Sequence, residues 1–130
     1  MSEFYALVEK ICLRDKRYKP DAYEFLLQGL TFTQKKLKMN SHVSGVQLAH
    51  GLRDYAINQY GALASRVLAH WGILQTQDFG NIVFNMVEKK LLSKTEEDSL
   101  RDFEAVYDFS TAFSNVLVDS LIEEFKGKND

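Results

Sequence analysis

Residues 72–94, GILQTQDFGNIVFNMVEKKLLSK, decide the reading of the fold. Gly72 closes one helix and Thr76 offers a cap for the next. Phe79, Ile82, Val83, Met86 and Val87 then recur at the three- and four-residue spacing of a buried helical stripe, with Phe84 to one side. Short helix, turn and longer helix is the order of a helix-turn-helix. Because Leu91-Leu92-Ser93-Lys94, an acidic turn and an alternating segment follow, it is also the order of a winged helix: helix, turn, recognition helix, strand, wing, strand. In that layout the longer helix shows Gln77, Asp78, Asn81, Asn85, Glu88 and Lys89 outward, and the wing carries Glu96, Glu97 and Asp98. Nucleic-acid affinity comes chiefly from cations set against phosphates, so three adjacent acids disfavour it.

The segment after Lys94 fits two conformations. Leu100, Phe103 and Tyr107 suit a helix capped by Thr95, whereas Phe103, Ala105, Tyr107 and Phe109 alternate with Glu104, Val106 and Asp108 as a half-buried strand does. The second choice completes a C-terminal β-hairpin over about residues 91–109. Beyond it, Phe113, Val116, Leu117, Leu121 and Phe125 describe an amphipathic helix that runs out in GKND.

Upstream, helices dominate. Ser44-Gly-Val-Gln47 matches a capping box and opens a third helix through Leu48, Leu52, Tyr55, Ala56 and Tyr60 to Gly61. A short fourth helix spans Ala62 to Trp71. Ser2 caps a first helix of about residues 3–14 on Phe4, Leu7, Val8 and Ile11. Pro20, the sole proline, sits in the first turn of a second helix reaching about Lys38. Its stripe is Ala22, Leu26, Leu30, Thr33 and Leu37, with Phe25 and Phe32 off it, so this helix packs on more than one side and belongs at the centre.

The expected fold class is therefore mainly α: a single compact helical domain over residues 1–130, with a winged-helix-like C-terminal β-hairpin or a further helix at 91–109. At 130 residues, 45% apolar and 26% charged, the chain has the size and composition of one globular unit. It shows no repeat and no linker. No apolar run spans a bilayer and the N-terminus MSEFYALVEKICLR lacks the pattern of a signal peptide, which leads to a cytoplasmic expectation without membrane contact.

Charge is unevenly spread. Residues 1–60 hold nine Lys and Arg against six Asp and Glu, a net +3, and residues 61–130 hold seven against twelve, a net −5. The basic set Lys16, Arg17, Lys19, Lys35, Lys36 and Lys38 and the acidic set Glu96, Glu97 and Asp98, extending to Asp108, are the candidate partner-binding surfaces. They could face each other across a homodimer.

Signals for catalysis are sparse. His42, His50 and His70 have no ligand spacing, no cysteine cluster accompanies them, and no glycine-rich phosphate loop occurs, so neither metal nor cofactor is expected. Cys12 falls on the apolar stripe of the first helix and reads as a small buried hydrophobe. His50 and Asp54, four apart, could pair as base and orienting acid, which is the small-enzyme alternative. Asp78-Phe79-Gly80 has none of the companion motifs of a kinase.

The blocks RYKPDAYEF (17–25), HVSG (42–45), LRDYA (52–56), QYG (59–61), HWGI (70–73), DFGNIVFNMV (78–87), LLSKTEEDS (91–99) and YDF (107–109) resemble a family of small bacterial proteins of unknown function over about residues 14–113. The resemblance implies a soluble bacterial protein of this length, and no reaction or cofactor. The functional expectation is a non-catalytic protein-interaction or regulatory module, its partner a protein, a second copy included. A winged-helix DNA-binding regulator is the alternative.

Overall fold

The computed structural model describes residues 3–38, 43–93 and 100–114. They form α1 (Glu3–Arg14), α2 (Pro20–Lys36), α3 (Gly45–Tyr60), α4 (Ala64–His70), α5 (Thr76–Glu88) and α6 (Phe109–Ala112), with 3-10 turns at Gly61–Leu63 and Leu100–Phe103. The mainly helical expectation holds. No helix among them is long and apolar enough to cross a membrane.

Helix ends follow local chemistry. The Ser44 hydroxyl accepts from Gln47 N at 3.0 Å and the Gln47 side chain accepts from Ser44 N at 2.9 Å, closing the capping box of α3. Gly72, at φ +94°, ends α4 in a Schellman turn: its own N–H donates to Ala69 O at 3.0 Å and that of Ile73 to Leu68 O at 2.9 Å. The end of α5 makes the same turn on Lys90, with φ +61° and Leu91 N donating to Met86 O at 2.8 Å. A lysine there pays a steric penalty glycine avoids.

One expected cap is corrected. Thr76 is the first residue inside α5 and is only 1% exposed; the cap position is Gln75, and the Asp78 carboxylate reaches back to accept from Leu74 N at 2.8 Å and Gln75 N at 3.0 Å. An acid in the first turn also complements the positive end of the helix dipole.

α2 lies at the centre, packing on α1, α3 and α5, with Ala22, Tyr23, Phe25, Leu26, Gly29 and Thr33 buried. Its contact with α3 is the most extensive among the described elements. The Thr33 side chain sits where a Cβ on Gly51 would lie, and Leu52 where one on Gly29 would. Leu48, Ala49, Leu52 and Ala56 of α3 and Phe79, Ile82 and Met86 of α5 complete the core with Val8, Ile11, Leu68 and Ile73.

The β-hairpin is also corrected. Among the described residues of 91–109 there is no strand; Leu100–Phe103 is a 3-10 turn and 104–108 is irregular, with Ala105 at φ +47°. Thr95 and residues 115–130, where the other two expectations for this region fall, lie outside the described residues. What fixes the segment is side-chain anchoring. Phe103, 4% exposed, lies against Gly45 of α3 and Gly80 of α5, where any Cβ would meet its ring at 3.1 and 2.9 Å respectively. The Thr76 hydroxyl donates to Phe103 O at 2.6 Å and accepts from Val106 N at 3.2 Å. Further on, Tyr107 Oη donates to Ala49 O at 2.7 Å and Arg53 Nε to Ala112 O at 2.9 Å. The apolar alternation does not make a buried face, since Ala105 is exposed and Val106 half-buried; Tyr107 and Phe109 instead join Phe79 and Phe113 in an aromatic cluster whose neighbouring ring centroids lie 5.2–6.5 Å apart.

Candidate functional site

The polar face of α5 turns inward. Asp78 Oδ1 accepts from Tyr18 Oη at 2.6 Å, and that hydroxyl accepts from Asn81 Nδ2 at 2.9 Å. Asn85 Nδ2 donates to Asp15 Oδ2 at 2.9 Å and to Tyr23 Oη at 3.0 Å, and Arg14 at the end of α1 pairs with Glu88 at 2.5 Å. The expectation that Asp78, Asn81 and Asn85 face outward is corrected: the α1–α2 connection covers them. Burial raises the phenols of Tyr18 and Tyr23, so both stay protonated as donors or acceptors in this seam. Of the face a DNA-reading helix would use, Gln77 and Glu88 are exposed and Lys89 is half-buried.

The basic residues do not gather. Lys16, Arg17 and Lys19 precede α2 while Lys35, Lys36 and Lys38 lie at its end, about 24 Å away along a 17-residue helix. Several already have partners. Arg17 forks onto Asp15 with contacts of 3.0 and 2.7 Å, Lys19 Nζ lies 3.2 Å from His70 Nε2, and Lys36 pairs with Asp54 at 2.6 Å.

His50 and Asp54 do not form the expected couple. The Asp54 carboxylate takes Lys36 and, at 3.1 Å, Arg53, whereas the His50 ring sits 5.5 Å from that of Tyr107. His42 lies outside the described residues, and among those described no group of three His, Cys, Asp or Glu side chains could hold a metal. Cys12 is half-buried against the core and its thiol points at Tyr18 O at 3.6 Å; burial, with Asp15 nearby, raises its pKa.

Glu96, Glu97 and Asp98 lie outside the described residues, but the continuation of the acidic segment lines a groove of the described surface. Leu74, Gln75, Thr76 and Gln77 at the start of α5 and Glu104, Ala105, Tyr107, Asp108 and Phe109 opposite enclose an open groove of about 590 Å³. A second depression of about 330 Å³ adjoins it, formed by Ser65, Arg66 and Ala69 of α4 with Ile73, Leu74, Phe109 and Ser110. Leu74 and Phe109 belong to both and form the ridge between them. Leu74 is 66% exposed. The walls are set by features already described: the Schellman turn at Gly72 projects Leu74, Asp78 fixes the turn, and Thr76 holds the opposite backbone through Phe103 and Val106.

The lining of this groove is mixed in character. It offers an apolar ridge, amide side chains at Gln75 and Gln77, and exposed charges at Arg66, Glu104 and Asp108. The sequence pointed to its acidic side only; Leu74 carried no signal, because one leucine between a helix end and the next cap lies off every stripe. No protein-family model, curated protein or solved structure matches this chain.

Proposed function

We propose that the chain is a non-catalytic protein-interaction module that docks its partner in the groove along the Leu74–Phe109 ridge. The observation that supports this is Leu74, left 66% exposed at the meeting point of two depressions. Single exposed leucines are ordinary on a protein surface. This one stands beside an aromatic ring with concave surface on both sides, where covering it would contribute about 1.5–3 kcal/mol. Charged and amide groups at the rim supply specificity, in the usual arrangement of an apolar centre with a polar margin.

Capture of proteins from the native cell on the immobilised chain, compared with Leu74→Glu, tests the reading. Partners retained by the parent chain and lost by the variant, at unchanged circular dichroism, support it. Equal retention by both would move docking away from the groove, and no retention by either would remove the interaction module altogether.

A further inference from the structure

We infer that the groove takes a short segment of a partner protein in one orientation, apolar side chains astride Leu74 and Phe109, a carboxylate toward Arg66 and a Lys or Arg toward Glu104 and Asp108. This rests on the docking reading above and adds the chemistry of the occupant.

The argument is charge complementarity across the ridge. The depression on the α4 side has Arg66 at its edge, and the depression on the side of the C-terminal segment has Glu104 and Asp108; all three residues are exposed. An occupant that crosses from one to the other meets opposite signs at its two ends. The amides of Leu74 and Gln75 before α5 are taken by the Asp78 carboxylate, whose charge offsets the positive end of that helix and lessens its pull on an anion. Asp108 accepts from Ser110 N at 3.0 Å, which fixes its carboxylate at the start of α6 beside the ridge. Exposed ion pairs contribute little affinity, and like-charge contacts oppose the reverse docking, so the charges set direction while the ridge holds the segment.

Panning a random-peptide phage library against the full chain tests this. Enriched peptides are expected to carry an aliphatic or aromatic pair between an acid and a base. A synthetic copy of one should lose at least about tenfold in affinity on Leu74→Glu, which exchanges an apolar anchor for a charge. The double variant Arg66→Glu, Glu104→Arg should prefer the peptide with its acid and base exchanged. Enriched peptides that need Leu74 but show no charge order overturn the orientation and leave the docking reading intact. Peptides indifferent to Leu74→Glu overturn both. A library without binders overturns the linear segment, and capture from the cell then decides the docking reading alone. Sedimentation showing a dimer abolished by Leu74→Glu would make the occupant a second copy of the chain and overturn the inference.

Discussion

Tyr18 and Asp78, 60 positions apart, share a 2.6 Å hydrogen bond that ties the α1–α2 connection to the first turn of α5. The hydroxyl also accepts from Asn81, and the same carboxylate caps the turn that carries Leu74. Loss of that one oxygen leaves a charged acceptor and an amide donor short of a partner in a seam where Tyr18 is 3% exposed. Tyr18→Phe should therefore cost about 1.5–3 kcal/mol, read as a lower urea midpoint at unchanged slope. A midpoint equal to the parent's would mean that water replaces the phenol without penalty.

Acid should weaken the fold through Asp15. Its bidentate hydrogen bonds from Arg17, with help from Asn85, hold this carboxyl well below the ordinary carboxylate range. A depressed folded value gives stability that is present above the unfolded value, near pH 4, and is lost as pH falls through and below it. Asp15→Asn should thus be less stable than the parent at neutral pH and show a flatter decline below pH about 4. Parallel acid limbs in urea titrations of the two proteins would remove this assignment.

Alkali acts through the phenols. Burial is the first cause that raises Tyr18, Tyr23 and Tyr107, with Tyr23 pushed up to about 12. A raised folded value gives stability fully present below the unfolded phenol value, near 10, and lost as pH climbs past it toward the folded value. Spectrophotometric titration should show the tyrosinates of these three of the six tyrosines forming only at higher pH, together with loss of helical circular dichroism. A single ordinary transition for all six, with the fold intact, would contradict the seam.

How much of this was legible beforehand depends on the range of the signal. Ser44 with Gln47, Pro20 and the stripe from Phe79 to Met86 act within a turn or two of helix, and they appear where spacing puts them. The polar side of α5 was misread because periodicity says which face is polar and nothing about what covers it. Its covering residues, Asp15, Tyr18 and Tyr23, lie 60 or more positions away. The alternation from Phe103 to Phe109 failed for a related reason. A two-residue repeat suggests that every second side chain is buried, but here Ala105 is exposed; Phe103 and Phe109 pack against Gly45, Gly80 and Phe79 while Thr76, not a neighbouring strand, takes up the backbone groups. Glycine seats for a ring more than twenty residues away leave no local trace.

Thr76 should prove the support of the groove wall. Thr76→Val keeps the shape and removes the hydroxyl that serves Phe103 O and Val106 N, leaving two backbone groups short of partners at a cost of roughly 2–4 kcal/mol. Hydrogen exchange of amides in residues 103–113 should accelerate more than that of α2 and α3. Thr76→Ser, which retains the hydroxyl, should restore most of the protection. Uniform acceleration across all helices would show instead that Thr76 supports the whole core and not this segment in particular.

The crossing of α2 and α3 makes the last test, and it separates space from chemistry. Thr33 donates to Gly29 O at 2.7 Å within its own helix and its side chain fills the site of the missing Cβ on Gly51, so the backbones approach as closely as a threonine permits. In a helix with room to spare, Gly51→Ala would stabilise by about 0.5–1 kcal/mol through propensity. Here the added methyl meets Thr33 and must push the helices apart, an overpacking cost of about 1–3 kcal/mol that outweighs the gain. Thr33→Ala vacates the oxygen and methyl nearest the new group, although its retained Cβ would still lie 2.7 Å from it. The double variant should therefore recover part of the loss, with a coupling of at least about 0.5 kcal/mol in a double-mutant cycle. Strict additivity would mean that Gly51 is required for another reason, and that Thr33 does not set the separation of the two helices.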